Sequence, residues 1–90
     1  MKKLDQNNIQ TLIKLLNAGQ LIKVENAGKE LLKKYPNELF LYNLVATSLI
    51  KQNKLNEASK IYEKVLSIKP DQIEALNNLA SIFGSSGKIE

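Results

Sequence analysis

Apolar residues recur at helical spacing in five blocks along the chain, each closed by a residue that cannot continue a helix. Ile9, Leu12, Ile13, Leu15 and Leu16 predict a first helix from Asp5 to about Asn17, with Gly19 as its left-handed stop. Leu21, Val24, Ala27, Gly28, Leu31 and Leu32 stripe a second, which ends at Tyr35-Pro36 because a residue before proline disfavours the helical region. The third is expected to be capped by Asn37 and to run to about Lys51. Its Phe40, Leu41, Tyr42, Leu44, Val45, Leu49 and Ile50 leave hardly any polar face, so it should be covered on several sides. Asn53 marks a turn before the fourth, Leu55 to Ile68, whose Leu55, Ala58, Ile61, Tyr62, Val65 and Leu66 face inward until Lys69-Pro70 closes it. Asp71 followed by Glu74 resembles a capping arrangement opening a fifth helix that ends near Gly84. Every link is short, as antiparallel hairpins require.

The blocks repeat. Pro36 and Pro70 lie 34 residues apart, and the segments before them superpose: Gly19-Gln20-Leu21 on Asn53-Lys54-Leu55, Leu31-Leu32 on Val65-Leu66, Tyr35-Pro36-Asn37 on Lys69-Pro70-Asp71. The same shift brings Gly87-Lys88-Ile89 into register. A period of 34 resembles that of the tetratricopeptide repeat family. In the second repeat Tyr42, Val45, Ala46, Leu49, Ala58, Tyr62 and Pro70 fall where that family has tryptophan, leucine, glycine, tyrosine, alanine, phenylalanine and proline. The first repeat keeps Gly19, Leu21, Leu31 and Pro36 but has Asn8, Val24 and Gly28 in place of tryptophan, alanine and phenylalanine, and terminal repeats are often atypical. The third begins with Leu76, Leu79, Ala80 and Phe83 at core positions and is cut short.

The resemblance implies an all-α fold, a right-handed superhelical stack of antiparallel helical hairpins with five helices, forming one domain over residues 1–90. Its repeats run over about 5–38, 39–72 and a truncated 73–90. Ala46 and Ala58 should let two helix axes approach, with Tyr42 and Tyr62 filling the space beside them. Gly28 has two readings, close packing or a kink, since glycine inside a helix costs about 1 kcal/mol relative to alanine.

Composition narrows the chemistry. Ninety residues, 43% hydrophobic and 24% charged, describe one folded domain with a modest core. Without cysteine or histidine the chain has no disulfide, no thiolate metal site and no imidazole proton carrier, and neither metal nor cofactor is expected. The net charge of +4 rests on lysine alone; the lack of arginine removes the residue suited to bidentate phosphate and guanine contacts, so nucleic acid is not an expected partner. The longest apolar run, Leu39 to Ile50, is interrupted by Asn43, Thr47 and Ser48, and Met1-Lys2-Lys3 leads into polar residues. No membrane association follows, and a cytoplasmic location is expected.

No convergent catalytic set, glycine-rich phosphate loop or nucleophile motif is present, so the chain is not expected to be an enzyme. Its carboxylates pair with lysines at helical spacing, as Glu25 with Lys29 and Glu30 with Lys34. The family resemblance instead implies that the first helix of each repeat lines a concave groove holding a peptide or protein segment. The corresponding residues are Ile9, Ile13 and Leu16 in the first repeat, with Gln6 and Asn17 beside them, and Phe40, Asn43, Thr47 and Lys51 in the second, with Ile50. In the third they are Glu74, Asn77, Asn78 and Ser81, with Ser85. Such a groove grades from apolar to amide and hydroxyl. The alternative for Ile9, Ile13, Leu16 and Phe40 is burial under the segment around Leu4 or in a self-association contact.

Asn78 before Leu79-Ala80 resembles the asparagine ladder of O-linked N-acetylglucosamine transferases. The clamp with which related domains hold acidic chaperone tails is absent: its places correspond to Ile9, Ile13, Leu44, Glu74 and Asn78, which supply no cation. Two alternatives to a peptide-binding scaffold stand beside it. One is an N-terminal targeting or assembly module of a larger glycosyltransferase- or sulfotransferase-type enzyme. The other follows from Gly87-Lys88-Ile89-Glu90, which reads as the start of a further helix: an excerpt of a longer array, or a homodimer closing over the fifth helix.

Overall fold

The computed structural model describes residues 4–85. Within them five helices follow one another: α1 (Gln6–Asn17), α2 (Leu21–Lys34), α3 (Leu39–Lys51), α4 (Leu55–Ile68) and α5 (Ile73–Ser85). Each packs on its neighbour in sequence, and α1 also touches α3. The result is an elongated all-α stack, 43 × 29 × 17 Å.

The hairpin turns share one geometry. Gly19 and Asn53, 34 residues apart, both take the left-handed conformation, with φ of 77° and 64°. Behind each, two amides reach back over the helix end: Gly19 N–H donates to Leu16 C=O and Gln20 N–H to Leu15 C=O, at 3.0 and 2.9 Å. One repeat on, Asn53 N–H donates to Ile50 C=O and Lys54 N–H to Leu49 C=O, at 2.9 and 2.8 Å. These are Schellman closures, which use the carbonyls a helix end would otherwise leave unpaired. The third turn expected at Gly87 lies outside the described residues.

The helix starts differ from expectation in two places. Asp5 caps α1 through its carboxylate, which accepts the Asn7 N–H at 3.0 Å. Asn37, however, lies in the turn, and Glu38 takes the cap position of α3 without a side-chain capping bond. That loop is pinned instead by the Tyr42 hydroxyl, which donates to the Pro36 carbonyl at 2.7 Å. Similarly α5 begins at Ile73, and Leu76 N–H donates to the Gln72 carbonyl, so Asp71 sits one position too early to cap it.

Two hydrophobic clusters meet on α3. Leu41 and Leu44 join Leu12 and Val24 in the first, with Leu4, Leu16 and Leu31 around it. Tyr42, Val45, Ala46 and Leu49 join Ala58, Tyr62, Val65, Ala75 and Ile82 in the second. This is why α3 carries apolar residues all round: it is covered from both sides. Gly28 is resolved in favour of packing, since a Cβ there would overlap the Val45 side chain.

Glu25, 7% exposed, is the principal polar tie between the hairpins. Its carboxylate accepts from Lys29 Nζ at 2.7 Å within α2, and from Gln52 Nε2 at 3.0 Å and Lys54 Nζ at 3.4 Å across the next turn. The Lys29 hydrogen bond, with Gln52 and the lysine charges behind it, outweighs burial and holds this carboxyl down at about 2. Glu30 pairs with Lys33 at 2.8 Å, in place of the expected Lys34.

Candidate functional site

The residues expected to meet a ligand lie on α1, α3 and α5, the first helices of the successive hairpins. On α1, Ile9 and Leu16 are half-buried and Ile13 is 38% exposed; Leu16 is drawn into the packing of the first cluster. Packing on the first cluster therefore accounts for Leu16 and leaves Ile13 at the surface. On α3, Phe40 and Ile50 are exposed at 38% and 36%, while Asn43 and Thr47 are half-buried and Lys51 is exposed. Thr47 Oγ1 donates to the Asn43 carbonyl at 2.8 Å, which ties its hydroxyl to the helix. On α5, Glu74, Asn77 and Ser81 are exposed and Asn78 is half-buried.

Some of these positions converge on a residue of the second cluster. Tyr62 of α4 is 2% exposed. Its ring fills the second cluster, and its hydroxyl meets the side chains of Thr47 on α3 and Asn78 on α5, with the Glu74 carboxylate nearby. Burial first and the Glu74 charge second push this hydroxyl above the ordinary phenol range, while the bonds to Thr47 and Asn78 oppose the shift. One phenol from α4 thus lies near predicted positions of two successive hairpins. The available signal was the residue type, because a phenylalanine would fill the same volume without placing a hydroxyl near Thr47 and Asn78. Leu44, by contrast, is 7% exposed and faces the first cluster.

A surface depression lies elsewhere. It has a volume of about 440 Å³ and is lined by Gly19, Gln20, Leu21, Ile22, Lys23 and Gln52, at the hairpin-turn edge and away from every predicted contact residue. It is open and mainly apolar, with no converging acid–base pair. Among the described residues no group of three histidine, cysteine, aspartate or glutamate side chains converges as metal ligands would. No helix among them is long and apolar enough to cross a membrane.

Consecutive antiparallel hairpins on a 34-residue period, closed by equivalent left-handed turns, define an α-helical repeat stack. Residues 47–87 match the family model of the TPR repeat. The matched stretch runs from the second half of α3 through α4 and α5 and is similar to the TPR repeat. No curated protein matches the chain. TPR repeats are in general protein–protein interaction modules and typically non-catalytic scaffolds.

Proposed function

We infer that this chain binds a peptide or protein segment across the exposed faces of α1, α3 and α5. The observation that carries the reading is the mixture presented there. Ile13, Phe40 and Ile50 keep substantial apolar surface in water, and the polar side chains of Asn43, Thr47, Asn77, Asn78 and Ser81 stand on the same helix series. Apolar anchors flanked by amides and hydroxyls suit an extended segment, whose side chains alternate while its backbone offers donors and acceptors. The bond from the Thr47 hydroxyl to the Asn43 carbonyl supports this by fixing one of these side chains, so that less side-chain freedom is lost on binding.

The test is to select binders from a random peptide library and map them by amide chemical shifts on isotope-labelled protein. Shifts centred on Ile13, Phe40, Asn43, Thr47 and Asn78, with binding at least tenfold weaker for Phe40→Ala, support the reading. Selected peptides whose shifts are confined to residues 57–64 of α4 would reject it.

A further inference from the structure

Where α1 turns into α2, Ile22 stands off the inward row of Val24, Ala27 and Leu31 and is 63% exposed. It rims the mainly apolar hollow of about 440 Å³ that lies between the first hairpin turn and Gln52 at the end of α3. Gln52 is a fixed wall, because its Nε2 donates to the Glu25 carboxylate at 3.0 Å. The repeat plan does not call for an apolar rim here. One period on, Asn56 takes the place of Ile22 and Glu57 that of Lys23, and both are exposed. The isoleucine and the lysine beside it are therefore features of the first hairpin and not of the scaffold.

We propose that this hollow docks a segment of a partner polypeptide in which a bulky apolar side chain is flanked by carboxylates. Shape argues for the side chain. An open hollow can take one projecting group, whereas a small molecule needs most of its surface enclosed, and a flat bilayer meets protruding residues and not a recess. Charge argues for the flanks. Lys23 lines the hollow and has no ion pair among the described residues, and no carboxylate lines it. Lys54, two residues beyond Gln52, adds a second ammonium at 42% side-chain exposure. Among the described residues the carboxylate nearest this lining in sequence is Glu25. It is 7% exposed and already accepts from Lys29, Gln52 and Lys54, so it offers little repulsion to an incoming acid. Cationic charge at the rim of an apolar recess speeds encounter with an acidic segment and selects against a basic one. This surface is separate from the one used in the proposed function, so either can fail without the other.

The probe is a synthetic hexapeptide, Asp-Glu-Leu-Leu-Glu-Asp, blocked at both ends and titrated into the isotope-labelled full chain. Amide shifts centred on residues 19–23 and on Gln52 are expected, with a dissociation constant of about 1 mM that rises with salt. A peptide with lysine in place of its acids, or serine in place of its leucines, should bind at least tenfold more weakly. Ile22→Asn and Lys23→Glu should each do the same. Both substitutions install the residue that the second hairpin carries at the equivalent position, Asn56 and Glu57, so the fold is expected to persist. Absence of saturable shifts, equal binding of the lysine peptide, or shifts centred on Asn43 and Thr47 overturns the proposal. So does co-sedimentation with vesicles of equal parts phosphatidylcholine and phosphatidylglycerol that Ile22→Asn abolishes, since a membrane then owns the patch. A protein that sediments alone at twice 10.1 kDa and returns to monomer as Ile22→Asn overturns it equally, in favour of a second copy.

Discussion

Gly28 of α2 lies so close to Val45 of α3 that a Cβ at position 28 would overlap the valine Cγ2. One repeat later the place of Gly28 belongs to Tyr62, whose ring is buried in the second cluster and whose hydroxyl reaches Thr47 and Asn78. Two hairpins with one backbone plan therefore fill the same position in opposite ways. In the first the neighbouring helix moves in against bare backbone, and in the second a large side chain occupies the gap.

Gly28→Ala should therefore destabilise the protein, although alanine is the better helix former. The helix gains about 1 kcal/mol from the exchange, but overlap with a buried valine in a filled core costs about 1–3 kcal/mol. A net loss near 1 kcal/mol is expected in chemical denaturation. In a Val45→Ala background the overlap disappears, and the same substitution should become stabilising, so the double-mutant cycle reports the contact directly.

Glu25 predicts an acid limb in the stability curve. Its carboxyl titrates at about 2 in the folded protein against 4.5 for the free side chain. Because the folded value is depressed, the stabilisation is fully present above the unfolded value and is lost as pH falls from there towards 2. The effect is on the order of 2 kcal/mol. Glu25→Gln should lower stability at neutral pH and flatten the curve between pH 4.5 and 2; an unchanged acid limb would show that other carboxylates produce it.

Both left-handed turn positions should penalise alanine and accept glycine. Gly19→Ala places a Cβ at φ 77° and should cost about 1 kcal/mol. Open space surrounds that position, so the penalty is conformational and not steric. Asn53→Gly at φ 64° should be neutral to slightly stabilising, while Asn53→Ala should lose about as much as Gly19→Ala. Thermal melts of the three variants decide it.

Tyr42→Phe removes one bond and little volume. The hydroxyl donates to the Pro36 carbonyl across the link between hairpins, so a loss of about 1 kcal/mol is expected. Hydrogen exchange should quicken at Glu38, whose amide bonds to the Tyr35 carbonyl in the same loop. If exchange there is unchanged, the hydroxyl does not pin the loop.

Helix number, order and approximate limits were legible in the chain because they depend on local spacing and on punctuation by Gly19, Asn53, Pro36 and Pro70. The repeat was legible too, since the same contacts recur every 34 residues and leave the same residue types behind. The all-round apolar pattern of α3 announced its central position. What the chain could not disclose were the relations between side chains brought together from distant positions. Asn37 and Asp71 had the right chemistry for caps, but loop geometry gave those positions to Glu38 and Gln72. Glu25 looked like one of several helix-surface carboxylates until the next turn delivered Gln52 and Lys54 to it. Gly28 is explained by Val45, which packs against it from the next helix. The phenol of Tyr62 comes near Thr47 and Asn78 only because α4 packs against both their helices. Periodicity is a property of one helix, so one strand of text records it; which neighbour fills a gap, meets a charge or leaves a face open depends on how the helices stack, and only the tertiary structure decides that.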